Sequence, residues 1–436
     1  MVKKIFIVTQ DAIVNTTGGA ITSFINISNF LSEKFDVYGI CYANEKGKPN
    51  LDKNVKFINL FDYYSDTNNF SNAINRFIRE NKPDIILFFF AFLYVDAKLA
   101  EEFNNIPRIL LFRSRPDFYF AVHQNTKNLK NLYTNTISQI LFPSYHKLLP
   151  DYIKNKQVVC IPNPTKSVLE YVDTAVEHKK IIYLSRIDCW KGHEFLIKSF
   201  ALIAYKYKDW TIDIYGQSQP PQLELQLKEL VKSLNLENQI HFCGVTKEPF
   251  NIYLNYDFCV FPSYFEGFPN GLSEALSVGL PSIGFKSASG VNELIINNEN
   301  GFLTEETYQD FAEKIEYLIN NKELRSKFSA RAIELMKKYD CLQIKNTWIN
   351  LVSNILENNL SSLNSDFDSS ACRYELFSID KLLSMQNVNT KFVYRNFAEK
   401  IFSLKNYYSS SGKKKILTIL GIKITIKKRI RGNNEN

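Results

Sequence analysis

The amino-acid sequence predicts an α/β protein in which two doubly wound parallel-sheet domains face each other across a cleft, with a C-terminal extension after them. Short apolar runs alternate with amphipathic stretches over most of the chain, a pattern typical of strands and helices in succession. The apolar runs are continuous, as expected for parallel strands that helices cover on both faces. The length of 436 residues suits two or three domains.

The first predicted domain covers residues 1–163. Its amphipathic stretches predict helices over residues 20–32 and 72–80. Its apolar runs predict strands over residues 4–9, 37–41, 55–60, 85–90, 108–112, 139–142 and 158–161. Pro162, Asn163 and Pro164 predict a linker to the next domain, because proline restricts its own backbone and that of the residue before it.

The second predicted domain covers residues 164–338 and repeats the architecture of the first without repeating its sequence. Strands are predicted over residues 180–184, 211–215, 239–243, 258–261 and 281–284, and helices over residues 195–206, 223–234, 271–278 and 308–320. A further helix over residues 339–357 is expected to cross back to the first domain. Residues 358–436 form the extension, in which 371–411 are expected to be partly helical.

The positive charge of the chain is concentrated at its C-terminus. The net charge is +8, and residues 413–431 alone carry eight lysines and arginines and no acid. The rest of the chain therefore sums to about zero, which argues against a nucleic-acid-binding body. Apolar residues between these lysines suit an anionic membrane surface. A solvated tail or a small β-hairpin docked on the body remains open as an alternative.

Cysteine spacing and hydropathy indicate the cellular compartment in which the protein works. The seven cysteines are scattered without CxxC spacing, which argues against a disulfide framework or a zinc ribbon and favours a reducing compartment. The apolar run at the N-terminus is too short for a signal peptide. The longest apolar stretch, residues 85–95, is shorter than the roughly 20 residues of a membrane-spanning helix. We therefore expect a cytoplasmic protein.

The most informative stretch is residues 265–281, which follows an apolar strand and contains two acids eight positions apart, Glu266 in a loop and Glu274 in a helix. Gly267, Pro269 and Gly271 predict a tight turn between them. The helix that follows presents free backbone N–H groups and the positive end of its dipole, which suit a phosphate. An acid in such a loop reaches a ligand at the carboxyl edge of the sheet. The alternative is that both acids are ordinary surface residues.

Two other loops carry residues suited to a diphosphate. Arg186 and Lys191 follow the first strand of the second domain, where arginine can fork onto phosphate oxygens and lysine acts as a point charge. In the first domain, Gly18 and Gly19 lie between the first strand and the first helix. Paired glycines allow close approach of a ligand or another backbone, although this loop lacks the phosphate-binding GxGxxG pattern.

Together these stretches resemble glycosyltransferase family 4, which are retaining enzymes of the GT-B fold, and in particular the members that build bacterial surface polysaccharides. The resemblance covers about residues 3–355. The motifs that carry it are Asp188-x-x-Lys191-Gly192, Tyr215-Gly216, Cys243-Gly244, Glu266-x7-Glu274 and Gly279-Leu280-Pro281.

The resemblance implies a role for each matching residue. Glu274 would bind the ribose hydroxyls of a nucleotide sugar, Glu266 would contact the donor sugar, and Arg186 and Lys191 would hold the diphosphate. Glu266, Arg186 and Lys191 are thus the predicted catalytic residues. The remaining predicted nucleotide-sugar contacts are Gly19, Gly267, Phe268, Pro269, Asn270, Gly271 and Leu272.

The sequence departs from the family pattern in the first domain. Where the family often has a histidine after the strand that ends near Phe112, this chain has Arg113 and Arg115. We expect either that one of these arginines contacts the sugar or the acceptor, or that this loop has a different shape from that of the family. Asp366 and Asp368 have the Asp-x-Asp spacing of metal-dependent transferases. No strand is predicted before them, so we interpret them as a solvated turn.

The implied activity is transfer of a hexose-type sugar from a nucleoside diphosphate to a hydroxyl of a glycan or lipid-linked acceptor, in capsule or lipopolysaccharide synthesis. No metal ion or other cofactor is expected. The expected setting is the cytoplasm, with peripheral attachment to the membrane through residues 413–431. A sugar-nucleotide epimerase or phosphorylase of the same fold and an inactive scaffold protein are the alternatives.

Overall fold

The computed structural model describes residues 2–9, 19–43, 47–64, 69–89, 97–122, 136–154, 157–166, 168–218, 220–246 and 248–358, the single positions 376, 378 and 385, and the strands 402–409, 412–419 and 422–427. The described chain forms two parallel sheets with helices on both faces, and a separate antiparallel sheet near the C-terminus.

The first domain is built on a seven-stranded parallel sheet in the order β3-β2-β1-β4-β5-β6-β7. Its strands are β1 (Lys4–Val8), β2 (Asp36–Cys41), β3 (Lys56–Asn59), β4 (Ile85–Phe88), β5 (Arg108–Leu111), β6 (Thr136–Ile140) and β7 (Val158–Cys160). Strands β1, β4 and β5 are buried along nearly their whole length. Both faces of the sheet are therefore covered, as the continuous apolar runs predicted.

Five helices of the first domain are described: α1 (Gly19–Ser32), α2 (Leu60–Tyr63), α3 (Phe70–Asn81), α4 (Pro116–Val122) and α5 (Asp151–Lys154). Helix α3 begins after Asn69, whose side chain accepts a hydrogen bond of 2.9 Å from the backbone N–H of Asn72. It ends at Lys82, which adopts a left-handed backbone with φ of 47°. Such caps satisfy backbone groups that the helix itself leaves unpaired.

The second domain has a six-stranded parallel sheet in the order β10-β9-β8-β11-β12-β13. Its strands are β8 (Lys180–Leu184), β9 (Thr211–Tyr215), β10 (Ile240–Gly244), β11 (Phe258–Phe261), β12 (Ser282–Phe285) and β13 (Gly301–Thr304). Its helices are α6 (His193–Ala201), α7 (Pro221–Ser233), α8 (Pro249–Tyr253), α9 (Asn270–Ser277), α10 (Val291–Leu294), α11 (Tyr308–Asn320) and α12 (Lys322–Met336).

The last helix of the described body, α13 (Cys341–Leu356), packs on the first domain although it follows the second. Its apolar face, which includes Trp348 and Val352, joins the core formed by β1 and α1. Lys345 pairs with Glu33 at 3.0 Å on the rim of this contact. The helix begins at Asp340, whose side chain accepts from the backbone N–H of Leu342 at 2.9 Å. The chain thus ties the two domains together at both ends of the second one.

The strand order of the second sheet determines where the loops after β8 and β11 lie. In the second sheet, β8 and β11 are neighbours whose connections run in opposite directions, to β9 on one side and β12 on the other. Ligands of doubly wound folds bind at such a switch point, beyond the carboxyl ends of the strands. The segments that contain Arg186, Lys191 and Glu266 follow these two strands directly.

The extension contains a three-stranded antiparallel sheet formed by β14 (Phe402–Ser409), β15 (Gly412–Ile419) and β16 (Ile422–Lys427). Within the stretch 371–411, which we expect to be partly helical, residues 402–409 form the strand β14, which the sequence analysis did not predict. The sequence prediction also missed β13, because its four residues, GFLT, are too few to show a period. The Ser/Asp-rich tract with Asp366 and Asp368 lies outside the described residues.

Candidate active site

A cleft of about 490 Å³ lies between the two domains at the carboxyl ends of β8 and β11. Most of the residues that the sequence predicts for the site line this cleft: Gly19, Arg113, Arg186, Lys191, Glu266, Gly267, Phe268, Pro269, Asn270, Gly271 and Glu274. Two do not: Leu272 packs in the core with its side chain fully buried, and Arg115 is buried away from the cleft.

Lys191 and Glu266 form the central contact of the cleft. The Lys191 Nζ lies 2.6 Å from Glu266 Oε1, and each side chain is only 11% exposed. A charged pair with so little contact to water interacts more strongly than a surface pair. Each group of this pair therefore neutralises the charge of the other.

The backbone around Lys191 is held in place by its neighbours. Asp188 accepts a hydrogen bond of 2.9 Å from the backbone N–H of Trp190, which begins the short 3-10 helix Cys189–Lys191. The buried Tyr183 hydroxyl donates to the Lys191 carbonyl at 2.5 Å. Gly192 has a φ of 65°, and a Cβ there would stand 2.1 Å from the Pro262 carbonyl oxygen. The Asp-x-x-Lys-Gly motif thus fixes the backbone from which the Lys191 side chain extends into the cleft.

Arg186 approaches the same cleft from its open side. Its side chain is half exposed, and the guanidinium Nη2 lies 3.4 Å from Asp188 Oδ2. That contact is long, and the arginine is half exposed to water, so it holds the Arg186 side chain only weakly. Arg186 is therefore able to swing towards a phosphate, whereas Lys191 is already in position.

The loop that carries Glu266 packs closely against its surroundings. The Ser289 hydroxyl donates to the Glu266 carbonyl oxygen at 2.9 Å. A Cβ on Gly271 would stand 2.6 Å from the Leu184 carbonyl oxygen, so the start of α9 lies directly against the end of β8. A larger residue at position 271 would push the helix N-terminus out of the cleft.

Glu274 lies one turn into α9 and lines the inner part of the cleft. Removal from water raises the pKa of this carboxyl to about 7, and nearby Lys166 opposes the rise. Near neutral pH the group is thus divided between its two protonation states. It can accept hydrogen bonds from a ligand and, when protonated, donate one.

The two domains touch each other around this cleft. The buried Tyr145 of the first domain donates its hydroxyl hydrogen to the Gly267 carbonyl at 2.9 Å. The Phe142 and Phe268 rings stack with centroids 5.3 Å apart. Asn163 of the linker donates to Asn270 Oδ1 at 2.9 Å. The loop 266–270 is therefore held by groups from both domains.

The two candidate acceptor arginines have different environments. Arg113 lines the cleft, where its guanidinium donates to Asn163 Oδ1 and, at 3.3 Å, to Gln139 Oε1. Burial lowers the pKa of Arg113 to about 9. Arg115 instead forms a two-point pair with Asp117. The expectation of a contact with sugar or acceptor therefore concerns Arg113 alone.

An aromatic cluster beside the cleft was not predicted from the sequence. Phe118 of α4 lies 4.6 Å, centroid to centroid, from Phe265, and 5.7 Å from Trp190. Trp190 directly precedes Lys191, and Phe265 directly precedes Glu266, so two of the three rings could have been noticed beside the motifs. Phe118 carries no local signal, because its contact forms only when the two domains come together. The same reason applies to Tyr145.

Among the described residues, no group of three or more His, Cys, Asp or Glu could hold a metal ion. The same part of the chain contains no helix that is long and apolar enough to cross a membrane.

Comparison with known proteins agrees with the fold and the cleft. Residues 172–335 match the family described as glycosyl transferases group 1. This match covers the domain that carries Arg186, Lys191, Glu266 and Glu274. Together with the two facing doubly wound domains, it supports a glycosyltransferase of the GT-B fold.

Individual relatives point to the same class. The chain is 26% identical over 344 residues to an uncharacterized glycosyltransferase of Haemophilus influenzae, covering 77% of this chain and 96% of that protein. It is 24% identical to a Campylobacter jejuni N-acetylgalactosaminyltransferase that acts on a diphospho-undecaprenol-linked sugar, covering 62% of this chain and 73% of that one. The solved structure of Anabaena HepE with UDP and glucose has a TM-score of 0.64 and 18% identity, covering 81% of this chain and 100% of that chain.

Proposed function

We propose that the protein is a retaining glycosyltransferase that moves a hexose-type sugar from a nucleoside diphosphate to a hydroxyl of a glycan or lipid-linked acceptor during surface-polysaccharide synthesis. The observation that carries the proposal is the interdomain cleft in which the Lys191–Glu266 pair, Arg186 and Glu274 converge. The two cations suit the negative charge of a diphosphate, and the two acids can accept hydrogen bonds from the hydroxyl groups of the sugars.

In this reaction, the bond between the anomeric carbon and the diphosphate oxygen breaks, and a bond from that carbon to the acceptor oxygen forms. The acceptor proton passes to the leaving phosphate. Lys191, Arg186 and the N-terminal N–H groups of α9 stabilise the negative charge that develops on the diphosphate. Preorganised donors of this kind commonly contribute a few kcal/mol each. These protein groups supply the positive charge, so the proposal needs no divalent metal ion.

The two acids take different parts. Glu266 lies beside Lys191. It faces the sugar once the lysine ammonium binds the diphosphate and no longer pairs with the carboxylate. Glu274 lies deeper, beside the start of α9, where hydroxyl groups of the ribose can hydrogen-bond to it. The bound UDP of HepE and the undecaprenol-linked acceptor of the Campylobacter relative favour a uridine diphosphate donor and a lipid-linked acceptor for this chain.

The direct test is an assay of the purified full-length protein with a panel of nucleotide sugars, following release of the nucleoside diphosphate and of the transferred sugar. We expect turnover with at least one uridine diphosphate sugar, and its loss in the double variant Lys191→Ala/Glu266→Ala. Undiminished turnover in that double variant would refute the site. Interconversion of free nucleotide sugars without transfer would instead identify an epimerase.

The setting we propose is the cytoplasmic side of a membrane, reached through the C-terminal sheet. In the register of that sheet, Lys414 pairs with Lys427 at one end, while Ile419 pairs with Ile422 at the other. The sheet thus has a basic end and an apolar end, an arrangement that suits the surface of a membrane with anionic lipids.

Co-sedimentation with vesicles tests this attachment. We expect the full-length protein to bind vesicles that contain anionic lipid, to leave them at high salt, and to lose binding when residues 412–436 are deleted. Nucleoside diphosphate affinity should stay the same in the shortened protein. Binding of the shortened protein equal to that of the full chain would contradict the proposal.

A further inference from the structure

The aromatic cluster of Phe118, Trp190 and Phe265, termed here the aromatic bridge, connects both domains beside the Lys191–Glu266 ion pair. Phe118 belongs to the first domain, whereas Trp190 and Phe265 belong to the second. The Trp190 and Phe265 rings lie 5.7 Å apart at 63°. The backbone N–H of Tyr264 donates to the Trp190 carbonyl at 2.8 Å, so the two loops of the second domain are also joined directly.

A residue from the C-terminal extension packs on this bridge. Met385 lies against Phe265, in the same apolar cluster as Phe118 and Trp190. Met385 comes after the last helix of the body and belongs to neither domain. The extension therefore reaches back to the edge of the cleft, at the point where the segments that contain Lys191 and Glu266 meet the first domain.

We propose that Met385 is a positioning residue for sugar transfer: it covers the aromatic bridge and thereby holds the adjacent Lys191–Glu266 pair in register with the first domain. This inference rests on the proposed glycosyltransferase function. Methionine suits the role, because its flexible thioether fills irregular gaps and makes favourable contacts with aromatic rings. Aromatic surface left uncovered would face water, which is unfavourable.

Two residues of the aromatic bridge are next to the charged pair in the sequence, so a contact with the bridge can affect the position of that pair. Trp190 and Phe265 are each one peptide bond from a charged member of the pair. Movement of either ring would therefore shift the Lys191 ammonium or the Glu266 carboxylate. Misplacement of reacting groups by about 1 Å costs up to about 100-fold in rate, so a small loosening of the bridge has a measurable effect.

The first test measures the contact itself, without reference to activity. The chain has three tryptophans, of which Trp210 and Trp348 are 3% and 1% exposed. Quenching of tryptophan fluorescence by acrylamide therefore reports mainly on Trp190. We expect greater quenching in Met385→Ala than in the unaltered protein, and unaltered quenching in Leu169→Ala, which removes a side chain that is 95% exposed. Equal quenching in Met385→Ala and the unaltered protein would overturn the proposal.

The second test measures the consequence for transfer. We expect Met385→Ala to lower kcat about three- to tenfold, with unchanged affinity for nucleoside diphosphate and an unchanged melting temperature. Met385→Leu should recover most of the activity, because it restores the apolar volume. Increased quenching with unaltered kcat would refute the positioning role. If the unaltered protein transfers no sugar while quenching still responds to Met385→Ala, the proposed function fails and the contact stands.

Discussion

At the scale of single residues, the cleft contains a carboxylate and an ammonium that neutralise each other. Lys191 and Glu266 lie within 2.6 Å and are largely shielded from water. A diphosphate that enters the cleft must compete with Glu266 for the lysine. In the proposed reaction, donor binding would therefore separate the pair and leave the carboxylate available to the sugar.

This competition predicts opposite effects of one substitution on binding and on turnover. In Glu266→Gln, the Lys191 ammonium no longer has a charged partner, so we expect nucleoside diphosphate to bind about three- to tenfold more tightly. Sugar transfer should fall about 100-fold, because the charge facing the sugar is lost. Calorimetric titration and a transfer assay measure the two effects.

The matched control is Glu305→Gln, which removes the acid of another lysine pair, that of Lys286 and Glu305 on the surface. It should alter neither quantity. Weaker binding of nucleoside diphosphate to Glu266→Gln would contradict the competition between the carboxylate and the diphosphate.

Glu274 predicts a pH dependence. Its pKa of about 7 in the folded protein exceeds the ordinary value near 4.3 of the unfolded chain. The folded state therefore binds more protons than the unfolded state between these two values, and stability falls as the pH rises through that window. We expect the melting temperature of the unaltered protein to decline more than that of Glu274→Gln between about pH 5 and about pH 8. Parallel declines in the two proteins would show that the carboxyl titrates normally.

At the scale of elements, the loop at Gly192 is shaped by a close approach between two segments of backbone. Gly192 and Gly244 both have left-handed backbones, with φ of 65° and 70°. A Cβ at Gly192 would overlap the Pro262 carbonyl oxygen, whereas a Cβ at Gly244 would meet nothing within 4 Å. Substitution of these two glycines by alanine therefore distinguishes the cost of a steric clash from the cost of the left-handed conformation alone.

We expect Gly244→Ala to lower the free energy of unfolding by about 1–2 kcal/mol, the cost of a left-handed alanine. Gly192→Ala should cost at least about 3 kcal/mol, because the loop must also move away from Pro262, and the displaced Lys191 should weaken nucleoside diphosphate binding. Chemical denaturation and calorimetric titration measure both effects. Equal costs for the two variants would mean that the loop relaxes around the added methyl group.

At the scale of the whole molecule, the first domain is completed by a helix from the far end of the body. The fully buried Trp348 of α13 lies in the core with residues of β1 and α1. We expect Trp348→Ala to destabilise the protein by about 3–5 kcal/mol through the cavity that it leaves. Leu342→Ala, which truncates a side chain on the same helix that is 58% exposed, should cost little. The melting temperatures of the two variants test this, and similar values would contradict the packing.

The sequence was sufficient for the architecture because burial on both faces leaves a continuous apolar run, and this signal is local. It also indicated the second-domain motifs, since Arg186, Lys191 and Glu266 lie in the segments that directly follow a strand, and Glu274 lies in the helix after the Glu266 loop. The short strand β13 and the strand β14 escaped prediction. Four residues show no period in β13, and β14 mixes apolar and polar residues without a clear alternation.

The sequence by itself indicated that Arg186, Lys191 and Glu266 face the cleft from the second domain, because each lies in the segment that directly follows a strand end. Tertiary structure alone decided how the first domain completes the site: that Arg113 faces the cleft while Arg115 is bound to Asp117, and that Tyr145, Phe118 and Met385 contact loops more than a hundred residues away in sequence. Such contacts depend on how two separately folded sheets dock, and no local periodicity or propensity carries that information.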